Sequence, residues 1–295
     1  MMINFMKYRT LWLSISIAVT VLALVFFFAW GLNYNIDFTG GSLLEIKFTQ
    51  ERPAISEVRT AVSAIPGNVI VQASGENNVI FRFQQSDEAM HQNIVSELNK
   101  SYADKFQEQR FESVGPSVGK ELKTKAFYSI ILAIIAIILY IAYAFRKVSY
   151  PVASWKYGVF AILSLVHDVM LVVGVFAVLG KFMGVDVGLP FVAALLTVLG
   201  YSVNDTIVVF DRVRENLGRI SKITFPDLVN RSVNETLARS INTTLTTLLA
   251  LIAIFFWGGV TIKFFALALI IGIFSGAYSS IFIACPLLIL ANGKK

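Results

Sequence analysis

The sequence predicts an α-helical membrane protein, with six transmembrane helices and an α+β domain of ferredoxin-like type (βαββαβ) set between helices 1 and 2. Three observations predict it. Six apolar runs are each long enough to cross a hydrocarbon layer of about 30 Å, which takes roughly 20 helical residues. Residues 33–125 instead alternate apolar and polar positions and carry turn-forming residues. The basic residues gather in the short connections at one end of the apolar runs. Three regions follow: 1–32, the N-terminus and helix 1; 33–125, the α+β domain; and 126–295, helices 2 to 6 with their connections.

Composition agrees. Of 295 residues, 56% are hydrophobic and 15% charged, beyond the apolar share of an ordinary soluble domain. The net charge of +6 sits in connections between apolar spans, so it is a topology signal and no nucleic-acid partner is expected. A single cysteine, Cys285, excludes an intrachain disulfide, and two histidines with one cysteine argue against a structural metal site.

Lys7 and Arg9 precede the first apolar run, 11–31, which exceeds a typical signal h-region and lacks a small-x-small cleavage pattern after it. It reads as a retained signal-anchor. In the α+β domain, 42–48 reads as a strand, and Ile55, Val58, Val62 and Ile65 mark a helix after Pro53. Strand-like 69–71 and 79–83 flank a Ser-Gly-Glu-Asn-Asn turn, which predicts a hairpin. Asp87 can cap a second helix through 102, and 107–114 supplies a last strand.

The later spans are 126–145, 157–179, a fourth that runs from 188 into 197–216, then 241–257 and 264–290. Lys7, Arg9, Arg146, Lys147, Lys156, Arg212, Arg214, Arg219, Lys222, Arg231, Arg239, Lys294 and Lys295 fall on one side; Lys181 and Lys263 fall on the other. The positive-inside rule then places both termini in the cytoplasm and residues 33–125 outside it, in a bacterium the periplasm.

The fourth span carries Asn204 and Asp205 inside an apolar stretch. Seven residues separate Asp205 from Arg212, so the carboxylate lies roughly 10 Å in from the charged end. An ionised aspartate near a helix centre costs about 2.5 to 3.5 kcal/mol and usually faces a bundle interior or a wet cavity. Such a group is tolerated neutral and protonated, or ionised beside a cation, and a site moved between those surroundings carries protons. The structural alternative is a fixed hydrogen-bonding group that locks two helices, as Asn204 is also able to do. Ala193, Thr197, Gly200 and Asn204 form a small face that would let a neighbouring helix approach Asp205.

His167 and Asp168 sit about 11 residues in from Lys156, roughly 16 Å and near mid-span. Ser164, His167 and Gly174 share one face, pointed at other helices. A histidine titrates near neutrality and is able to relay protons; equally, His167 and Asp168 satisfy each other and hold a neighbour. Before the fifth span, Pro226 fits a first helical turn, and Val229, Val233, Leu237 and Ile241 predict an amphipathic helix at the interface that then turns inward. Arg239, Asn242 and Thr246 form a polar stripe able to offer Asp205 a cation and hydrogen bonds; alternatively Arg239 snorkels to headgroups or pairs with Glu235. Gly272 and Gly276 suit close helix packing. Asn204, Asn234 and Asn242 each begin a glycosylation sequon that the topology leaves unexposed to the outside.

Four segments carry a family resemblance: Asp37-Phe38-Thr39-Gly40-Gly41 after the first helix, Val114-Gly115-Pro116-Ser117-Val118-Gly119 before the second, His167-Asp168 in the third, and GYSVNDTIVVFDRVREN in the fourth. The stretch SVNETLARSINTTLTT from Ser232 fits as well. The chain resembles, over nearly its whole length, the SecF family of the bacterial SecD–SecF export complex, a relative of the RND transporters. The resemblance implies a partner SecD that supplies the other six-helix half and a role after exported, unfolded polypeptide has crossed the SecYEG channel. It also implies a location in the inner membrane, and the proton as coupling ion with no other cofactor. The family's aspartate and arginine fall on Asp205 and Arg239. Other RND relatives export small molecules, so the fold relation alone does not fix the cargo. An intramembrane aspartyl protease, built on Asp168 and Asp205, fits poorly because the two lie at different depths and the Gly-x-Gly-Asp pattern is absent; no enzymatic activity is expected.

Overall fold

The computed structural model describes residues 3–65, 69–84, 88–103, 105–146, 152–219 and 223–292, with the side chains at 260 and 261 left aside. The chain divides into two compact units, Met1–Asn33 with Tyr128–Lys295, and Tyr34–Phe127. A 3-10 turn, Phe5–Tyr8, runs into helix α1, Arg9–Trp30, which ends at Gly31 with φ +68°.

The second unit contains α2 (Ile36–Thr39), β1 (Gly41–Phe48), α3 (Ile55–Ala61), β2 (Ile70–Ser74), β3 (Asn78–Phe83), α4 (Glu88–Tyr102) and β4 (Phe106–Val114). The sheet order β2-β3-β1-β4, antiparallel throughout, is that of a βαββαβ plait. Leu44, Ile46 and Phe48 of β1 and Val79, Phe81 and Phe83 of β3 meet Val58, Ile94 and Leu98 from the helices in one apolar core. Alternate strand residues point to one face, and that is the face the helices cover.

Two local features depart from the expected pattern. The single turn α2 was not foreseen; Asn35 caps it by accepting from the Asp37 N–H at 2.8 Å. Helix α3 stops at Ala61, although Val62 and Ile65 remain buried as expected. The expected cap Asp87 lies outside the described residues.

Within this unit the two glycine-bearing segments meet backbone to backbone. Gly40 and Gly41 adopt φ +72° and +112°, where side chains are strained. A Cβ on Gly40 would lie 2.7 Å from Cα of Pro116, and one on Gly119 would lie 2.8 Å from N of Gly40. The motif residues are therefore small because two main chains touch.

Four further long helices complete the set: α5 (Pro116–Ala144), α6 (Ser154–Met183), α7 (Leu189–Arg219) and α8 (Phe225–Trp257). A last span joins α9 (Val260–Ser279), a π turn (Ser280–Ala284) and α10 (Cys285–Ala291). Among the described residues, six helices are long and apolar enough to cross a membrane. Helix α5 begins at Pro116, well before residue 126, because proline fits the first turn where its missing N–H has no partner to lose.

Two expectations are corrected. The interfacial helix and the fifth span do not turn against each other: α8 is one unbroken helix, with Thr224 capping Asp227 N and Pro226 in its first turn. Val229 and Val233 are buried, but Ile241 is exposed, since a four-residue repeat drifts around a helix of 3.6 residues per turn. The last span is not one regular helix either, for Pro286 has no N–H to give the preceding turn and the chain widens into the π turn.

Gly272 and Gly276 seat α9 against α7 as expected. A Cβ on Gly272 would fall 2.2 Å from Val198 Cγ2, and one on Gly276 would fall 2.9 Å from Ser202 Cβ. Gly174 of α6 admits Ala23 of α1 in the same manner, at 2.5 Å.

Candidate functional site

Helix α7 turns Ser202, Asp205 and Thr206 inward, spaced as i, i+3 and i+4. Asp205 is only 6% exposed. Its Oδ2 accepts a 2.7 Å hydrogen bond from Ser240 Oγ of α8. Among the described residues no donor reaches the other oxygen, Oδ1.

The group of α8 that bonds to Asp205 is Ser240, while Arg239 of the expected stripe acts on it only through its charge. Arg239, Asn242 and Thr246 all lie on the exposed side of α8. Thr236, Ser240 and Thr244 occupy the buried side, and at 100° per residue Arg239 stands about 60° round the helix from Thr236 and 100° from Ser240, so that its charge reaches Asp205 but no bond does. Thr246 Oγ1 bonds to carbonyls of its own helix, Asn242 at 2.9 Å and Thr243 at 3.0 Å. The guanidinium of Arg239 has no hydrogen-bond or ion-pair partner among the described residues. It does not pair with Glu235, whose carboxylate instead accepts from Arg212 at 2.7 Å, Asn216 at 2.9 Å and Arg231 at 2.9 Å.

Asn204 is exposed, as are Ala193, Thr197 and Gly200. Among the described residues nothing lies within 4 Å of a Cβ built on Gly200. Among the described residues the small face of α7 thus stays open, and no helix approaches Asp205 across it.

A second buried carboxylate is arranged differently. Asp168 of α6 is fully buried. Its Oδ1 meets His167 Nδ1 at 3.0 Å and Ser275 Oγ at 2.5 Å, while Oδ2 accepts from Ser202 Oγ and Ser279 Oγ, each at 2.6 Å. Four partners on two oxygens fill the acceptor capacity of an ionised carboxylate. His167 and Asp168 do satisfy each other, and together they tie α6 to α7 and α9. The three serines went unnoticed in the sequence, although Ser275 and Ser279 each follow a packing glycine by three residues and Ser202 precedes Asp205 by three.

The two sites differ in what they can do. A carboxylate saturated by four partners is a fixed tie between helices. One whose second oxygen meets no donor among the described residues keeps an acceptor site that a proton is able to take. Among the described residues no three His, Cys, Asp or Glu side chains come together as a metal-ligand set.

The family model for the protein export membrane protein SecD/SecF, C-terminal, matches residues 94–294. The chain belongs to the SecD/SecF family. The SecD/SecF GG motif matches residues 25–51, the stretch that holds Gly40 and Gly41. Relatives called protein translocase subunit SecF are 42% identical in Thermobaculum terrenum, over 99% of this chain and 95% of that one, and 39% identical in Pseudomonas aeruginosa, over 98% and 92%. The crystal structure of SecDF, a translocon-associated membrane protein from Thermus thermophilus, superposes with a TM-score of 0.87 at 32% identity over 100% of this chain. SecDF in a super-membrane-facing form gives 0.71 at 33% identity over 98% of this chain. The chain spans 39% of the length of each SecDF chain.

Proposed function

We propose that this chain is an accessory subunit of the Sec protein translocase that, with SecD, uses the proton-motive force to drive late steps of polypeptide export across the inner membrane. The observation that carries this reading is Asp205, buried between α7 and α8 with one oxygen bonded and the other without a donor. Family membership and the SecDF likeness supply the context. The proton is the coupling ion, no further cofactor takes part, and the chain is not an enzyme.

Both termini lie in the cytoplasm and residues 33–125 in the periplasm, on the strength of the basic residues at one end of the spans. SecD supplies the other six-helix half. It covers the open faces of α7 and α8, where Asn204, Gly200, Arg239 and Asn242 stand exposed beside apolar Ile241 and Leu245. Polar and small residues on otherwise apolar helices are what helix pairs use to join in lipid. SecYEG delivers the exported chain.

The coupling works through α8. With Asp205 protonated, Ser240 holds Oδ2 and Arg239 stays away; with Asp205 ionised, the charge draws Arg239 in, and α8 must rotate to bring it. One charge moved through 100 mV yields about 2.3 kcal/mol, a bias of nearly fiftyfold. Proton-dependent completion of preprotein export in inverted vesicles tests the reading. Asp205→Asn and Arg239→Met should assemble with SecD yet lose the proton-dependent component, and unchanged export in Asp205→Asn would sink it.

A further inference from the structure

Helix α8 also grips the start of the chain. The Ile3 N–H donates to Asn234 Oδ1 at 2.9 Å, and Asn234 Nδ2 donates back to the Ile3 carbonyl at 2.8 Å. One turn earlier Asn230 repeats the device, donating from Nδ2 to the Ile3 carbonyl at 3.1 Å and accepting the Met6 N–H on Oδ1 at 3.3 Å. Two side-chain amides thus pair with three main-chain groups of Ile3 and Met6, just before and just inside the 3-10 turn that leads into α1. Met6, only 2% exposed, seals the contact within the apolar cluster of Leu228, Val229 and Val233. Asparagine is a poor helix former; Asn234 Nδ2 also donates to the Asn230 carbonyl of α8 at 2.8 Å, and the remaining amide groups of the pair turn to the N-terminal segment.

The grip lies on the path from the buried carboxylate. Ser240 follows Asn234 by six residues, or about 9 Å along the same rigid helix. The gripped segment runs without a break into α1, and α1 leads through Gly31 into residues 34–127. Only the main chain of Ile3 is read, and the residue as a whole is 54% exposed. Resting on the proton-coupled reading above, we propose that Asn230 and Asn234 are positioning residues that fasten the N-terminal segment to α8, so that a proton-dependent movement of α8 is passed to α1.

The test uses the full chain assembled with SecD, in a Cys285→Ala background with nitroxides at Tyr8→Cys and Ala238→Cys. The parent should give one narrow spin–spin distance distribution at both acidic and alkaline pH. Asn230→Leu with Asn234→Leu, and separately Ile3→Pro, which removes the gripped N–H without touching α8, should broaden it; Ile3→Ala should not. In vesicles the same two variants should lose proton-driven export about 5- to 30-fold, the shift expected from one or two lost hydrogen bonds. Gradient-independent translocation and SecD co-purification should stay parental, which a merely structural role would not allow. A parental distance distribution in both variants overturns the proposal. So does an equal loss of both export components, or parental proton-driven export in both variants while Asp205→Asn loses it. If Asp205→Asn itself keeps proton-driven export, the reading of the carboxylate fails first and the coupling role falls with it.

Discussion

Ser240 on α8 donates a 2.7 Å hydrogen bond to Oδ2 of Asp205 on α7, and this bond joins the two helices where the carboxylate is buried. If protonation of Asp205 is read by α8, the hydroxyl that touches it sets one of the two states. Removing it should impair coupling without breaking the fold, because Asp205 can be neutral. Ser240→Ala should reduce proton-driven export about tenfold, the effect of losing one hydrogen bond of roughly 1 to 1.5 kcal/mol, and Ser240→Thr should largely restore it. Equal rates in the alanine variant and the parent would remove Ser240 from the mechanism.

Asp168 should behave in the opposite way. Its two oxygens receive Ser202, Ser275, Ser279 and His167, so an amide in its place would turn an NH₂ toward a donor. Each buried polar group left unmatched costs about 1 to 3 kcal/mol. Asp168→Asn should therefore lower the melting temperature and yield of the purified protein, whereas Asp205→Asn should leave both near the parent. Thermal unfolding in detergent separates the two, and a stable Asp168→Asn that lacks only proton-driven export would move the coupling site to α6.

Much of this arrangement was legible in the sequence. The six spans and the βαββαβ order followed from run length and alternation, which burial enforces directly. Asp205 and His167-Asp168 stood out because charge in an apolar run is costly. What escaped was which side of α8 faces inward. Arg239 and Ser240 are neighbours 100° apart; the arginine is conspicuous by its charge, the serine is not, and packing turned the serine to Asp205. The serines around Asp168 were equally silent, since a buried serine reads as a small residue until its partner is known. The bulge in β4, where Arg110 pairs with Glu45 but Glu108 pairs with the next residue, Ile46, left no trace either, because a single inserted residue changes no local composition.

The glycines of α7 and α9 make opposite predictions. Gly276 sits against Ser202, with a built Cβ 3.0 Å from the Ser202 Cα. Gly276→Val should push α9 off α7 and displace Ser202 from Asp168, and so destabilise the isolated chain by about 1 to 3 kcal/mol as overpacking does. Gly200 has open space around it. Gly200→Val should leave the isolated chain as stable as the parent and yet weaken co-purification with SecD. Undiminished co-purification would show that the open face of α7 is not where the partner half packs.

Acid should tighten the α+β domain through His91. The bulge at Gln109 of β4, opposite Glu45 and Ile46, puts Glu108 opposite Ile46 and Phe111 opposite Leu44, so both face the helices. His91 of α4 stacks on Phe111 at 4.2 Å and bonds through Nδ1 to Glu88 and through Nε2 to Glu108, each at 2.9 Å. Burial alone would pull its pKa below the ordinary 6.5, but the hydrogen bonds and charges of Glu88 and Glu108 outweigh burial and raise it. A raised folded pKa means that the imidazolium stabilises the folded domain. That contribution is fully present below about pH 6.5 and fades as pH rises through the raised value. Hydrogen exchange of α4 and β4 in the full-length protein, corrected for the intrinsic rate, should show several-fold stronger protection at pH 6 than at pH 8.5. His91→Gln should flatten that difference, and a parental pH dependence in the glutamine variant would mean that the latch between α4 and β4 does not depend on this histidine.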